Sequence, residues 1–304
     1  MEPITFTTEH EDTIHDAQMD YYGKKLATCS SDKIIKIFKI TDNEQIHVAD
    51  LKGHEGPVWA VSWCHPRFGV MLASCSHDRR VIIWKEIDSE NNIWQKEYEY
   101  LEHKSSVNSI SWSPQEYGLN LACGSSDSMV SILTFSGEQW THKKFKAHQI
   151  GCNSVSWAPF NPTGSLITSG EDNTTPTLRL VTGGCDHLVK IWVYLQKEKE
   201  WKFECNLEGH ENWVRSVSWA PNIGLPFQTI ASCSQDKKVI IWSSRSDGKW
   251  EKNILPTFDD IVWSVSWSFT GNVLAVSSGE NSVTLWREKN DGNWYCFSDL
   301  SNQN

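Results

Sequence analysis

Positive charge is scarce in this chain: 38 acidic residues face 28 basic ones over 304 positions, a formal net charge of −10. Its best basic run, Lys143-Lys144-Phe145-Lys146, is short and reads as a solvated outer strand, so direct nucleic-acid binding is disfavoured. Long apolar runs are also missing, and none approaches the eighteen or so residues that span a bilayer. The opening stretch MEPITFTTEHED has neither the basic region nor the apolar core of a cleaved signal, so a soluble protein not secreted by that route is expected. Nine cysteines make an odd count with no Cys-x-x-Cys spacing. Cys29, Cys75 and Cys233 recur three residues before an aspartate and read as small buried apolar residues in a reducing compartment. The lone sequon Asn173-Thr174-Thr175 is then a chance match. Neither a G-x-x-x-x-G-K-[ST] loop nor a G-x-G-x-x-G turn after a strand is present, which leaves nucleotide binding without support and no cofactor expected.

What is abundant is repetition. Six copies begin at His10, His54, His103, His148, His210 and Phe258, at intervals of 44, 49, 45, 62 and 48 residues. A period just above forty suggests propeller blades. Nine residues after each start stands Met19, Trp63, Trp112, Trp157, Trp219 or Trp267, in strings such as SISWSP and SVSWAP that alternate like strands and close on a proline turn. A second strand (LATCSSD, LASCSHD, LACGSSD, IASCSQD) runs into a tight turn at an acid. A large apolar residue follows six positions later: Asp32/Phe38, Asp78/Trp84, Asp127/Leu133, Asp186/Trp192, Asp236/Trp242 and Glu280/Trp286. Trp94, Trp140, Trp201, Trp250 and Trp294 mark a fourth strand. The expected fold is therefore all-β, a six-bladed propeller of four-stranded antiparallel blades over roughly 10–52, 54–101, 103–146, 148–208, 210–256 and 258–300, one ring-shaped domain with no appended catalytic domain.

Several residue sets that imitate chemistry follow from this architecture. His, Ser/Thr, Asp and Trp recur together as His54, Ser74, Asp78, Trp84; His148, Thr182, Asp186, Trp192; and His210, Ser232, Asp236, Trp242. They resemble a Ser-His-Asp catalytic set, but an enzyme needs one such site in a cleft, whereas these recur at blade spacing and can satisfy one another in series when buried. His10-Glu11 and His15 form H-E-x-x-x-H, one residue too long for the zinc helix motif and placed where the repeat demands a turn and a strand, so no metal site is expected. Most of the seventeen tryptophans occupy recurrent blade positions and belong to the core.

The informative positions are those where copies differ. The fifth residue after each start is His15, Trp59, Asn108, Asn153, Arg215 or Trp263, near the mouth of a propeller's central channel, and Trp213 adds a third aromatic. Aromatics and arginine at a concave mouth are typical binding anchors; the alternative is that Trp59 and Trp263 plug the channel. The sixth copy has Phe258 for His, Val276 for Ser/Thr and Glu280 for Asp, so its polar series cannot form as elsewhere and something else must hold that blade. Each copy owns its fourth strand, leaving no evident clasp between the chain ends beyond the short Ile4-Thr5-Phe6-Thr7. Such a ring either closes tightly or leaves a gap whose exposed sheet faces await a partner's strands. The long interval places a polar Ser/Thr/Gly-rich surface loop over 160–180, either disordered or a phosphorylated contact site.

The strings IHDAQMDYYG (14–23), LATCSSD (26–32), GHEGPVW (53–59), LACGSSD (121–127), IGCNSVSWAP (150–159), NIGLP (222–226) and TIASCSQD (229–236) resemble the family of small WD-repeat subunits of the outer COPII coat over residues 10–300. DAQMDYYG and NIGLP do not follow from the blade pattern, which makes the likeness specific. The resemblance implies an open six-bladed propeller completed by a seventh blade from a large helical-solenoid partner. That partner is the large outer-cage subunit of the coat on the endoplasmic reticulum, a solenoid nucleoporin in the Y-shaped nuclear-pore scaffold, or part of a lysosome-associated nutrient-signalling complex. Localisation would be the cytoplasmic face of the endoplasmic reticulum, coat vesicles and the nuclear pore, with membrane contact only through the coat. His15, Trp59, Trp213, Arg215, Phe258 and Trp263 are the candidate partner-binding residues. The rival is a peptide-binding substrate receptor of a ubiquitin ligase, whose Trp-Asp-x-Arg signature is absent: the third-strand pairs here are Trp84-Lys85, Trp192-Val193, Trp242-Ser243 and Trp286-Arg287. Trp263→Asp is expected to weaken partner capture while leaving the other blades folded; unchanged co-purification would remove Trp263 from the candidates.

Overall fold

Six antiparallel sheets, each made of four consecutive strands, compose the computed structural model, which describes residues 6–41, 44–160, 177–222, 227–244, 249–279 and 282–300. The first three are β1–β4 (Ile14–Met19, Lys25–Ser30, Ile34–Ile40, Gln45–Lys52), β5–β8 (Val58–Trp63, Met71–Ser76, Val81–Asp88, Ile93–Tyr100) and β9–β12 (Val107–Trp112, Asn120–Ser125, Met129–Ser136, Gln139–Lys146). The last three are β13–β16 (Cys152–Trp157, Arg179–Gly184, Val189–Leu195, Glu200–Leu207), β17–β20 (Val214–Trp219, Gln228–Ser234, Val239–Ser244, Trp250–Ile254) and β21–β24 (Val262–Trp267, Val273–Ser278, Ser282–Glu288, Trp294–Asp299). These are the blades of an all-β propeller fold, and the only helices among the described residues are two three-residue 3₁₀ turns at Pro66–Phe68 and Gln115–Tyr117. The chain forms two compact units, one holding 1–115, 119–127 and 131–143, the other holding 144–304 with 116–118 and 128–130. Most of the 160–180 insertion, Glu280, the sequon and residues 223–226 of NIGLP lie outside the described residues.

The hydrophobic pattern explains the packing inside each unit. Second strands such as MLASCS in β6 and LACGS in β10 are buried along their whole length. In the first unit, Ala27, Cys29, Ile35 and Ile37 of the first sheet pack on Val58, Val61 and Leu72 of the second. Tryptophans that close first strands add a polar tie: Trp63 donates to the Gln18 carbonyl at 2.8 Å, and Trp112 to the Ser62 carbonyl at 2.9 Å. Trp267 repeats this on the Ser218 carbonyl at 3.0 Å within the second unit. The DYYG segment is a turn that Asp20 clamps from its side chain, accepting from the Lys24 and Lys25 amides at 2.6 and 2.9 Å, while Gly23 supplies the positive φ of 66°.

The aspartate of each turn organises the sheet around it. Asp78 Oδ2 accepts from His54 Nδ1 at 2.9 Å and from the Glu55 amide at 2.9 Å, and its Oδ1 accepts from the Arg80 amide at 2.9 Å. His54 Nε2 meets Ser74 Oγ at 2.8 Å, and Trp84 Nε1 donates to the same oxygen at 2.9 Å. An indole only donates and a carboxylate only accepts, so Trp84 and Asp78 close the two ends of a series that passes through Ser74 and His54. The fifth sheet repeats this with Asp236, His210, Ser232 and Trp242 at 3.0, 2.8 and 2.8 Å. The fourth does so with Asp186, His148, Thr182 and Trp192 at 2.7, 2.8 and 3.0 Å. Burial lowers the pKa of His148, which keeps it neutral. The donors converging on Asp78 and Asp236 outweigh desolvation and hold both at about 2. Their contribution to stability is complete above the ordinary carboxylate range and is lost as pH falls towards 2.

Two sheets reach the same end by other residues. In the third, Cys123 occupies the Ser/Thr position and Leu133 the Trp position, yet His103 is not left unpaired. Its Nε2 meets Ser131 Oγ on β11 at 3.0 Å, and Tyr100 Oη reaches that hydroxyl at 3.0 Å, while Asp127 holds Nδ1 at 3.1 Å. Tyr100 stands three residues before its histidine, where other copies carry the buried Leu51, Leu207 and Leu255. In the sixth sheet Phe258 packs edge-on to Trp286 with centroids 5.9 Å apart, and Trp286 Nε1 donates to Thr284 Oγ1 at 2.8 Å. An aromatic pair and one hydroxyl thus replace the four-part series. Tyr100→Phe is expected to cost about 1–3 kcal/mol by removing one hydroxyl from a buried series. Urea denaturation of this variant beside the parent measures the cost; an unchanged midpoint would contradict the role given to Tyr100.

Candidate functional site

All six positions at which the copies differ share one backbone feature: each is the unpaired residue of a β-bulge in the first strand of its sheet. The register skips His15 between Ile14 and Asp16, Trp59 between Val58 and Ala60, and Asn108 between Val107 and Ser109. It likewise skips Asn153, Arg215 and Trp263. A bulge re-aims its extra side chain away from the alternation of the ladder, which lets each copy carry a different residue, although Trp59 still packs against the first unit's core.

In the first unit, His15 sits edge-on to Trp59 at 4.5 Å and bonds Ser31 Oγ through Nε2 at 2.7 Å, while Trp59 donates to Ser106 Oγ at 2.9 Å. Asn108 donates to Ser126 Oγ at 2.8 Å. His10 is engaged separately, with Asp32 at 2.7 Å and Thr28 at 2.8 Å, so the two histidines of H-E-x-x-x-H serve different partners. In the second unit, Arg215 lies over the rings of Trp213 and Trp263, 5.3 and 4.9 Å from their centroids. Asn153 donates to the Val214 carbonyl at 2.9 Å. Phe258 is placed differently: it is half-buried in the sixth sheet's core against Trp286, outside the bulge set.

Sequence reasoning did not single out Asp16, next to His15. The equivalent residue is Ala60 in the second copy and serine in the other four, Ser109, Ser154, Ser216 and Ser264. Asp16 Oδ2 accepts from the Val61 amide at 3.1 Å, much as Ser154 Oγ accepts from the Val217 amide at 3.0 Å. Desolvation outweighs these hydrogen bonds and raises Asp16 to about 6. The folded protein therefore holds this proton more tightly than the unfolded chain, and stability from it is lost as pH rises from about 4 through 6.

The second feature is the exposure of sheet faces. In the fifth sheet, Ala231, Ile241, Cys233 and Val239 are all 0% exposed. Their counterparts in the sixth, Ala275, Leu285, Ser277 and Val283, are only half-buried, while Leu274 and Val276 on the opposite face are buried in the core. Ala275 pairs with Leu285 and Ser277 with Val283, so these four share one uncovered face. It continues to Arg287 beside Tyr295, with the Arg287 guanidinium 5.8 Å from the centroid of the exposed Phe297. In the first unit, Ala17 and Met19 of β1 are exposed where Val61 is buried in the second sheet.

The WD domain, G-beta repeat family matches at residues 1–39, 44–85, 94–132, 140–176, 201–243 and 252–287. Protein SEC13 homolog of Drosophila melanogaster is 52% identical over 275 residues, covering 89% of this chain and 76% of that protein. Protein transport protein sec13 of Emericella nidulans is 49% identical over 276 residues, 88% of each. Protein transport protein SEC13 of Cryptococcus neoformans is 45% identical over 325 aligned positions, 99% of this chain and 98% of that one.

Asp16→Ser is expected to stabilise the protein by about 1–2 kcal/mol at pH 7.5 and not at pH 4, where the aspartate is already protonated. Urea denaturation at the two pH values measures this, and an equal effect at both would contradict the account.

Proposed function

The chain belongs to the Sec13 family of WD-repeat proteins, and from that premise we propose that it is a non-enzymatic scaffold in protein transport, completed by strands from a helical-solenoid partner. The relatives' names support the transport role. The observation that carries the mechanism is the sixth sheet's uncovered face, where positions fully buried one sheet earlier stand half-open.

The physical case is one of unmet burial. Ala275, Val283 and Leu285 form a sheet surface of the same kind that buries elsewhere, and a partner strand pair laid over it removes this apolar area from water. The exposed Ala17 and Met19 of the first sheet are a second surface that such a partner covers. In this reading the partner supplies a seventh blade, and the chain acts as a rigid brace on its solenoid. The large outer subunit of the COPII coat is the first such partner, at the cytoplasmic face of the endoplasmic reticulum. A solenoid nucleoporin of the Y-shaped pore scaffold and a lysosomal nutrient-signalling complex use the same surface in turn. Folding stability and assembly are then linked, because a partner that binds only the folded form stabilises it by mass action.

The recurrent His-Ser/Thr-Asp-Trp series is fully engaged in holding the sheets, which leaves those groups without a catalytic role in this proposal. Leu285→Asp tests the reading. Co-expressed with the large outer coat subunit, the variant is expected to retain roughly a tenth or less of the solenoid at high salt while its own circular dichroism is unchanged. Equal retention by parent and variant would remove the sixth sheet from the contact. The isolated parent chain is further expected to aggregate on mild heating; a heat-stable monomer would count against an uncovered apolar face.

A further inference from the structure

Arg215 is placed unlike the other arginines whose contacts are described. Arg80 pairs with Glu55 and Glu99 at 2.9 and 3.3 Å, and Arg179 pairs with Glu204 at 3.0 Å. Arg287 lies over an aromatic ring on the uncovered sheet face. Arg215 has no carboxylate partner among the described residues, although the chain carries ten more acids than bases. Its guanidinium is held on two sides by Trp213 and Trp263, which remain 41% and 49% exposed. With the Gln235 amide oriented to satisfy both groups, its oxygen accepts from Arg215 Nε at 3.3 Å and from Nη2, and its nitrogen donates to Asn212 Oδ1 at 3.3 Å. Burial disfavours the charged form of Arg215.

Three physical consequences follow. The cation is pre-oriented, because two indoles and one amide fix its plane, so little side-chain freedom is lost when a ligand arrives. Gln235 engages Nε and Nη2 but not Nη1, whose two donors are left for a ligand beside the exposed Trp213 and Trp263. A half-desolvated guanidinium without a counter-charge gains more from an incoming anion than one already paired at the surface. Trp213 and Trp263 add apolar walls on which the chain either side of that anion can rest.

We propose that the Trp213–Arg215–Trp263 cluster is a second docking site, independent of the uncovered sheet face, which takes an extended peptide through one anionic side chain, a carboxylate or a phosphate. The bulge at Arg215 is what turns the guanidinium out of the ladder towards such a ligand. The three side chains belong to one compact unit, so the site is complete without any residue of the other.

The test uses the full chain in complex with its solenoid partner and three labelled octapeptide libraries, identical except for a central Glu, phosphoserine or Gln among randomised uncharged residues. The complex is expected to retain the Glu or the phosphoserine library over the Gln library, and which of the two is held identifies the source of the anion. Arg215→Gln should lower that retention roughly tenfold or more, and Trp213→Ala should lower it as well. Arg215→Lys, which keeps the charge but loses the planar stack, should recover only part of it. Thermal melting of Arg215→Gln is expected to match the parent, and Leu285→Asp on the sixth sheet's face is expected to retain the peptides as the parent does, which separates this site from the sheet face. Equal retention of all three libraries, or retention by Arg215→Gln equal to the parent, would overturn the proposal.

Discussion

One partly desolvated aspartate in each of the first five sheets carries the architecture. At Asp78 it accepts from a histidine ring, the amide after that histidine and the amide two residues beyond itself, so a single side chain joins the leading turn, the second strand and the third strand. The same three-way junction recurs at Asp32, Asp186 and Asp236. Each junction gives both carboxylate oxygens a donor, which is how a polar group can sit beside a core of Ile, Val and Leu without a large penalty. It also forces the next residue into the left-handed region at Lys33, Arg79, Ser128, His187 and Lys237, with φ between 64° and 74°. The backbone accepts that strain five times because the carboxylate over-determines the turn.

Resemblance to a catalytic triad is a by-product of this device. In the second, fourth and fifth sheets both ring nitrogens of the histidine are engaged, one by the carboxylate and one by a hydroxyl that an indole also bonds. Function is therefore sought where the repeat is broken. The breaks are of two kinds: side chains that bulges turn out of the ladder, and sheet faces left open to solvent. The first kind provides varied chemistry on a uniform frame, and the second provides apolar surface whose burial needs another chain. In the proposed scaffold these combine so that the chain is fully stable only when assembled.

Much of this was legible in the sequence. The period, the Asp-to-Trp spacing and the four strands per copy follow from local pattern, and so do the three complete hydrogen-bonded sets. The variable fifth position was found by comparing copies, but its cause, a bulge, is a matter of register that one strand alone does not reveal. The third sheet's series was missed because its replacements lie elsewhere: Ser131 is on the third strand and Tyr100 belongs to the fourth strand of the preceding copy. A hydroxyl four residues after the acid is the signal that could have found it, and Thr284 in the sixth copy obeys the same rule. Phe258 was grouped with the mouth residues from its place at the start of a copy, whereas its ring replaces the histidine in the core. Asp16 reads as an ordinary strand-end acid, and only the amide it accepts from and its desolvation set it apart.

The uncovered sixth sheet is the claim on which the functional account turns, and amide hydrogen exchange across β17–β24 tests it most directly. In the isolated chain, β22 and β23 are predicted to exchange far faster than β18 and β19, and adding the solenoid partner should bring the two sheets to similar protection. A sixth sheet already as protected as the fifth in the isolated chain, and unchanged by the partner, would contradict the account.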